Sequence, residues 1–97
     1  MAGELEVRWS EEAIRQSDAM AAFIATQWTA REVNRYFDLL AEFEKLVAVF
    51  PNTYPLSHDY KGCRRAVIHR NASVVYEVRK EVIHIVTIVD NRSSLRR

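Results

Sequence analysis

Hydrophobic and polar positions change period twice along this chain of 97 residues. Glu4-Leu5-Glu6-Val7-Arg8-Trp9 alternates polar and apolar side chains, the period of a strand with one buried face. Ser10 then suits a helix N-cap, and Glu11 and Glu12 suit the positive end of the helix that follows. Through Ile14, Ser17, Ala21, Ile24 and Trp28 the period is helical, in a stripe broadened by Ala13, Met20 and Phe23. Thr29-Ala30-Arg31-Glu32 reads as a capping box, with Trp28 and Val33 placed as a hydrophobic staple. A second stripe runs through Val33, Tyr36, Phe37, Leu40, Phe43, Val47 and Phe50 and ends at Pro51. Almost nothing separates the two helices, so they fold back as an αα-hairpin. Residues 52–61 (NTYPLSHDYK) lose periodicity and read as a loop.

Strand character returns in Ala66–His69, Val74–Val78 and Val82–Val89, all rich in β-branched residues. Polar breaks at Arg70-Asn71-Ala72 and Lys80-Glu81 have the length of hairpin loops, which predicts a three-stranded antiparallel meander. The whole order predicts a single α+β domain over residues 1–97, β-α-α-β-β-β. Its antiparallel sheet, of about four strands, packs on the helical hairpin. Aromatic stripes on both helices then serve as core rather than as a cofactor box.

A two-residue turn at Lys80-Glu81 sets Arg79 opposite Val82, Glu77 opposite His84, Val75 opposite Val86 and Ser73 opposite Ile88. Val74, Tyr76 and Val78, against Thr87, Ile85 and Ile83, form the more apolar face, which is expected to meet the helices. A three-residue loop before Ser73 puts Ala66 and Ile68 inward and Arg65, Val67 and His69 outward. A two-residue loop would exchange these sets, and the first is preferred because it buries no arginine. The open face then presents Arg65, His69, Glu77 and His84, with Asp90 and Arg92 following at the same parity.

Composition narrows the class. Hydrophobic content of 48% excludes a disordered chain. No apolar run reaches the roughly 18 residues that span a bilayer, and the acidic N-terminus lacks signal-peptide layout. With one cysteine, Cys63, no intrachain disulfide forms, and a reduced, cytoplasmic setting is expected. Cys63 is read as a small buried hydrophobe, although Arg64 and Arg65 beside it would favour a thiolate. The net charge of +1 conceals an asymmetry: residues 1–60 carry five basic and ten acidic side chains, residues 61–97 nine and three. The sheet end is therefore expected to meet an anionic partner, nucleic acid or acidic protein.

Recognisable cofactor chemistry is missing. There is no glycine-rich phosphate loop, CxxC pair, HExxH or nucleophile elbow, and no cofactor is expected. His58 and Asp59 are adjacent without a spaced partner set, so no metal site is expected. Two chemistries fit the open face. In a metal-independent nuclease, His84 or His69 would move protons, Glu77 would orient His84, and arginines would hold phosphate. In a binding protein, the same arginines would meet acidic side chains and nothing would be cleaved.

Val7-Arg8-Trp9-Ser10, Trp28-Thr29, Phe50-Pro51, Gly62-Cys63-Arg64-Arg65, Val75-Tyr76-Glu77-Val78 and the closing Asp90-Asn91-Arg92 run in an order that resembles the RelE/ParE superfamily. Members are toxins of bacterial type II toxin–antitoxin pairs, and the likeness covers essentially the whole chain. It implies growth arrest and a small, acidic cognate antitoxin that folds as it wraps the toxin. It also implies one of two targets: the ribosome, with cleavage of messenger RNA, or DNA gyrase, with no nuclease chemistry. A non-toxic binding module of this fold is a third reading. Arg92 matches the arginine after the last strand, and Arg65 or Arg70 the middle-strand basic positions. Lys61, Arg64, Arg65, Arg70 and Arg92 thus form the candidate target-binding set, and His84, His69 and Glu77 the candidate catalytic set. In the nuclease branch a Tyr or His near the C-terminus often assists. Here only Ser93-Ser94-Leu95-Arg96-Arg97 follow Arg92, which with the Gln27–Val33 bend favours the gyrase branch.

Overall fold

The computed structural model describes residues 3–94. Strand β1 (Glu6–Trp9) leads into helices α1 (Glu11–Gln27) and α2 (Ala30–Val49). Strands β2 (Arg64–His69), β3 (Ala72–Arg79) and β4 (Val82–Asp90) follow, and a short helix α3 (Asn91–Ser94) closes the described chain. The α+β order matches the periodicity. The sheet has the order β1-β4-β3-β2.

One expectation fails in the sheet itself. β1 pairs with β4 in parallel, so the sheet is mixed rather than antiparallel. In a three-strand meander the first and last strands run the same way. The helical hairpin and the long connection after it return the chain in the direction in which β1 left. Side-chain period reports faces, not strand direction, so the sequence pattern carried no sign of this.

Ser10 caps α1, its Oγ accepting from the Ala13 N–H at 2.9 Å. The buried stripe of α1 is Ala13, Ser17, Met20 and Ile24, whereas Ile14 and Trp28 stand nearly half exposed. On α2, Tyr36, Leu40, Phe43 and Val47 are buried, but Phe37 and Phe50 face outward. The capping box at Thr29 does not form: its side chain makes no cap hydrogen bond. Glu32, the residue that would complete it, reaches across to β2 instead. Tyr36, Phe43, Val74, Tyr76, Ile83 and Ile85 meet in the core between hairpin and sheet. Tyr76 and Ile85 sit in the middle of it with no exposure at all.

The β3–β4 register agrees with the sequence near the turn, at Arg79↔Val82, Glu77↔His84 and Tyr76↔Ile85. A bulge then intervenes, leaving Val86 without a partner. Val75 pairs with Thr87, Val74 with Ile88 and Ser73 with Val89, each one residue on from the expected partner. Ser10 sits on this bulge: its N–H donates to the Ile85 carbonyl at 3.0 Å and its hydroxyl to the Val86 carbonyl at 2.8 Å. Beyond it the parity of β4 inverts, so Ile88 enters the core and Thr87 turns to the other face.

A second bulge lies in β2, between Val67 and His69. The β2–β3 connection is two residues, Arg70-Asn71, not three. The bulge keeps Arg65 and Val67 outward and Ala66 inward, but it turns His69 to the helix side.

Candidate functional site

On the sheet face away from the helices, Arg8, His84 and Glu77 lie in one row across β1, β4 and β3. Arg8 Nε donates to Glu6 Oε2 at 2.7 Å. That hydrogen bond lowers the Glu6 carboxyl from its ordinary 4.5 and raises the guanidinium in turn. Arg79 approaches Glu77 at 3.9 Å. Arg65 occupies the neighbouring row with Val75 and Thr87, and its Nη2 donates to Asn91 Oδ1 at 3.1 Å. So the face does bring His84, Glu77 and Arg65 near one another, as expected.

His69 is not among them. Its side chain is only 2% exposed, on the helix side of the sheet. Nδ1 accepts the Asn71 N–H at 3.0 Å, and Nε2 lies 2.8 Å from Glu32 Oε2. With Nδ1 accepting, Nε2 carries the proton and donates it to the carboxylate. Tyr36 packs edge-on against the ring, with centroids 6.0 Å apart. The Tyr36 hydroxyl is 3.0 Å from Ser17 Oγ, and burial pushes the phenol above its ordinary 10.0. His69 thus fastens β2 to α2, with both ring nitrogens engaged.

The basic residues scatter. Lys61 is exposed in the turn before β2, where Gly62 takes a φ of 80° that favours glycine. Arg64 points to the helix side, donating to the Tyr54 carbonyl at 2.7 Å. Arg70 lies over the Trp28 ring, 4.8 Å from its centroid. Arg92 lies over Phe23 at 4.1 Å and also grips Asp90, 2.8 Å from Nη2 to Oδ2. The inverted parity of β4 carries Asp90 and Arg92 off the open face, contrary to expectation. Arg70, Arg92, Trp28 and Phe23 instead gather at one tip, where the helical bend meets the β2–β3 turn and the end of β4.

Asn91 holds that tip together. Its Oδ1 accepts from Arg65 and, at 2.5 Å, from Ser73 Oγ. Its Nδ2 donates to the carbonyls of His69 and Arg70 at 3.0 and 3.2 Å. Its N–H donates to the Asn71 carbonyl at 3.0 Å. Sequence reading missed Asn91 as a hub and Glu32 as the partner of His69. The only signal for Glu32 was its place in the supposed capping box, which pointed to a different role.

Two depressions flank β2. One, of about 530 Å³, lies between α2 and β2 and is lined by Glu32, Arg35, Leu39, Val67, His69 and Arg70. It adjoins a smaller one reaching Leu46 and Tyr54. The other, of about 440 Å³, brings His58 and Asp59 beside Arg65 at the rim of the open face. Among the described residues no group of three His, Cys, Asp or Glu is placed to hold a metal. Cys63 is buried, and burial, with Glu77 adding to it, pushes its thiol above the ordinary 9.0. It is not a poised thiolate.

The sequence model of the ParE toxin of type II toxin–antitoxin systems matches residues 7–94. The chain belongs to the ParE toxin family. Among curated proteins none matches this sequence. A solved chromosomal ParDE system from P. aeruginosa superposes with a TM-score of 0.76 at 17% identity, covering 92% of this chain and 98% of that one. The E. coli DinJ–YafQ toxin–antitoxin complex gives 0.61 at 11% identity, with 93% and 96% covered. A point mutant of E. coli YafQ gives 0.61 at 10%, covering 97% of this chain and all of that one. The structural likenesses carry the fold, and the family match carries the role: this ParE-family chain is the toxin of a type II system. No helix among the described residues is long and apolar enough to cross a membrane.

Proposed function

We propose that this toxin arrests growth by binding its target without cleaving it, and that the target is DNA gyrase in the cytoplasm. The observation that carries the reading is the position of His69. One of the two candidate histidines is turned away from the open face, which leaves His84, with Glu77 opposite to orient it, as the remaining histidine of the candidate set there. General acid–base cleavage needs both a proton acceptor and a proton donor at the scissile phosphate. Arginines held by asparagine or stacked on aromatic rings suit the recognition of carboxylates equally well.

Neutralisation falls to a cognate antitoxin with an acidic and apolar segment. The outer edge of β2 is covered by residues 55–57 only as far as Arg65, through Arg65 N–H to the Pro55 carbonyl and Ser57 N–H to the Cys63 carbonyl. Beyond it Val67 is 66% exposed beside the groove of Leu39 and Arg35. An added strand fits there, with apolar side chains in the groove and a carboxylate on Arg35.

One observation favours a second reading. His84 opposite Glu77, with Arg65 in the next row, keeps part of a nuclease constellation on the open face. Inducing the toxin without antitoxin and following two readouts in the same cells separates these readings. Intact messages with accumulating double-strand breaks are expected. Rapid, codon-dependent loss of translated messages with normal supercoiling would replace the gyrase reading with ribosomal cleavage.

A further inference from the structure

Trp28 and Arg31, at the bend of the helical hairpin, lie outside the β2 groove, and Arg70, from the end of that groove, reaches over the Trp28 ring. Trp28 ends α1 and remains 43% exposed, although its N–H is satisfied by the Ile24 carbonyl. Arg70, from the β2–β3 turn, stacks on its ring and makes no ion pair among the described residues. Arg31, exposed in the first turn of α2, also has no acidic partner among the described residues. The acids nearest in sequence are committed elsewhere, Glu32 to His69 and Asp90 to Arg92. Asn91 fixes the turn through the Arg70 and His69 carbonyls, so Arg70 is presented from an anchored backbone.

We infer that this tip, centred on Trp28 with Arg31 and Arg70, is the surface by which the toxin grips an acidic patch on its protein target. The inference rests on the reading of the protein as a target-binding toxin. A guanidinium stacked on tryptophan keeps its N–H edges outward, matched to carboxylate pairs, while the indole supplies rigid apolar area. Tryptophan and arginine are the residue types that dominate binding energy at protein interfaces. Nucleic acid is the weaker fit. The whole chain carries a net charge of only +1, whereas binding to a phosphate backbone draws on many cations that displace counterions together.

The test uses the full chain and the variants Trp28→Ala and Arg31→Glu, with Trp28→Phe as the conservative control. Neither residue lines the groove assigned to the antitoxin. Three quantities are measured: growth arrest on induction, inhibition of gyrase supercoiling, and affinity for the cognate antitoxin. Loss of a central anchor is expected to weaken gyrase inhibition by about 30-fold or more in each disruptive variant. Antitoxin affinity should stay within about threefold, and Trp28→Phe should recover most of the arrest. Full toxicity in both variants would overturn the inference, as would an equal loss of antitoxin affinity. So would tight, salt-dependent binding of a labelled single-stranded RNA that Trp28→Ala abolishes, since the tip would then serve nucleic acid. Should the wild-type protein leave gyrase untouched, the target reading fails by itself, and growth arrest still reports on the tip.

Discussion

The two ends of the β-meander behave differently. At the Lys80-Glu81 end the strands keep the register that side-chain alternation implies, and His84 stays on the open face opposite Glu77. At the Arg70-Asn71 end two bulges intervene, and His69, Asp90 and Arg92 all leave the face on which strict alternation puts them. A local turn sets the first end. Contacts from elsewhere accompany the second: Ser10 on the β4 bulge, Glu32 on His69, and Asn91 on the turn. Alternation is a reliable guide only as far as the first residue that another element captures.

The largest expected effect lies where both ends share one core. Ile85 is fully buried beside Tyr76, just before the β4 bulge. Ile85→Ala should cost about 2–5 kcal/mol in urea unfolding. An unchanged midpoint would mean that the hairpin register is misplaced. The two histidines sharpen the contrast. His69→Ala should cost about 2–4 kcal/mol, since it opens a cavity and orphans the Asn71 N–H and the Glu32 carboxylate. His84→Ala should change stability by less than about 0.5 kcal/mol. Equal losses in the two variants would erase the distinction between the ends.

The regular end is not free of strain. Lys80 and Glu81 both take positive φ, 54° and 65°, as a two-residue turn of this hand requires. Replacing the pair with Asn-Gly should stabilise the protein by about 1–2 kcal/mol and leave the register unchanged. A drop in thermal midpoint would contradict the turn geometry.

The smallest effect near neutrality is the response to pH. Burial raises the phenols of Tyr36, Tyr54 and Tyr76 above 10.0 and the Cys63 thiol above 9.0. The folded state therefore holds their neutral forms while the unfolded chain ionises at the ordinary values. Their contribution is fully present below pH 9 and is lost as pH rises through those values. Denaturant midpoints that rise with pH above 10 would be the wrong sign.

Much of the fold was legible because each element carried its own period. The helical hairpin followed from stripes such as Tyr36, Leu40, Phe43 and Val47, and the meander from its β-branched runs. The parallel pairing of β1 was not, because nothing in Glu4–Trp9 encodes which strand lies beside it. The site was legible by half. Glu77 and His84 were placed from the nearby turn, whereas His69 depended on a bulge at Ile68 that no residue type announces. Glu32 was legible as a helix-start residue and misread for that reason, since a residue three beyond Thr29 fits a capping box by sequence alone. Asn91 looked like part of a terminal signature, and its reach to Arg65, Ser73 and Arg70 exists only in three dimensions.

The central claim is that toxicity needs the shape and charge of this molecule and not a proton-transferring histidine. The most direct measurement is the growth arrest produced by full-length His84→Ala, induced without antitoxin at wild-type protein levels. Arrest within about twofold of wild type is expected from the proposed binding without cleavage. A loss of roughly 10²–10⁴-fold, the usual consequence of deleting a general acid or base, in a variant that remains folded would contradict the account.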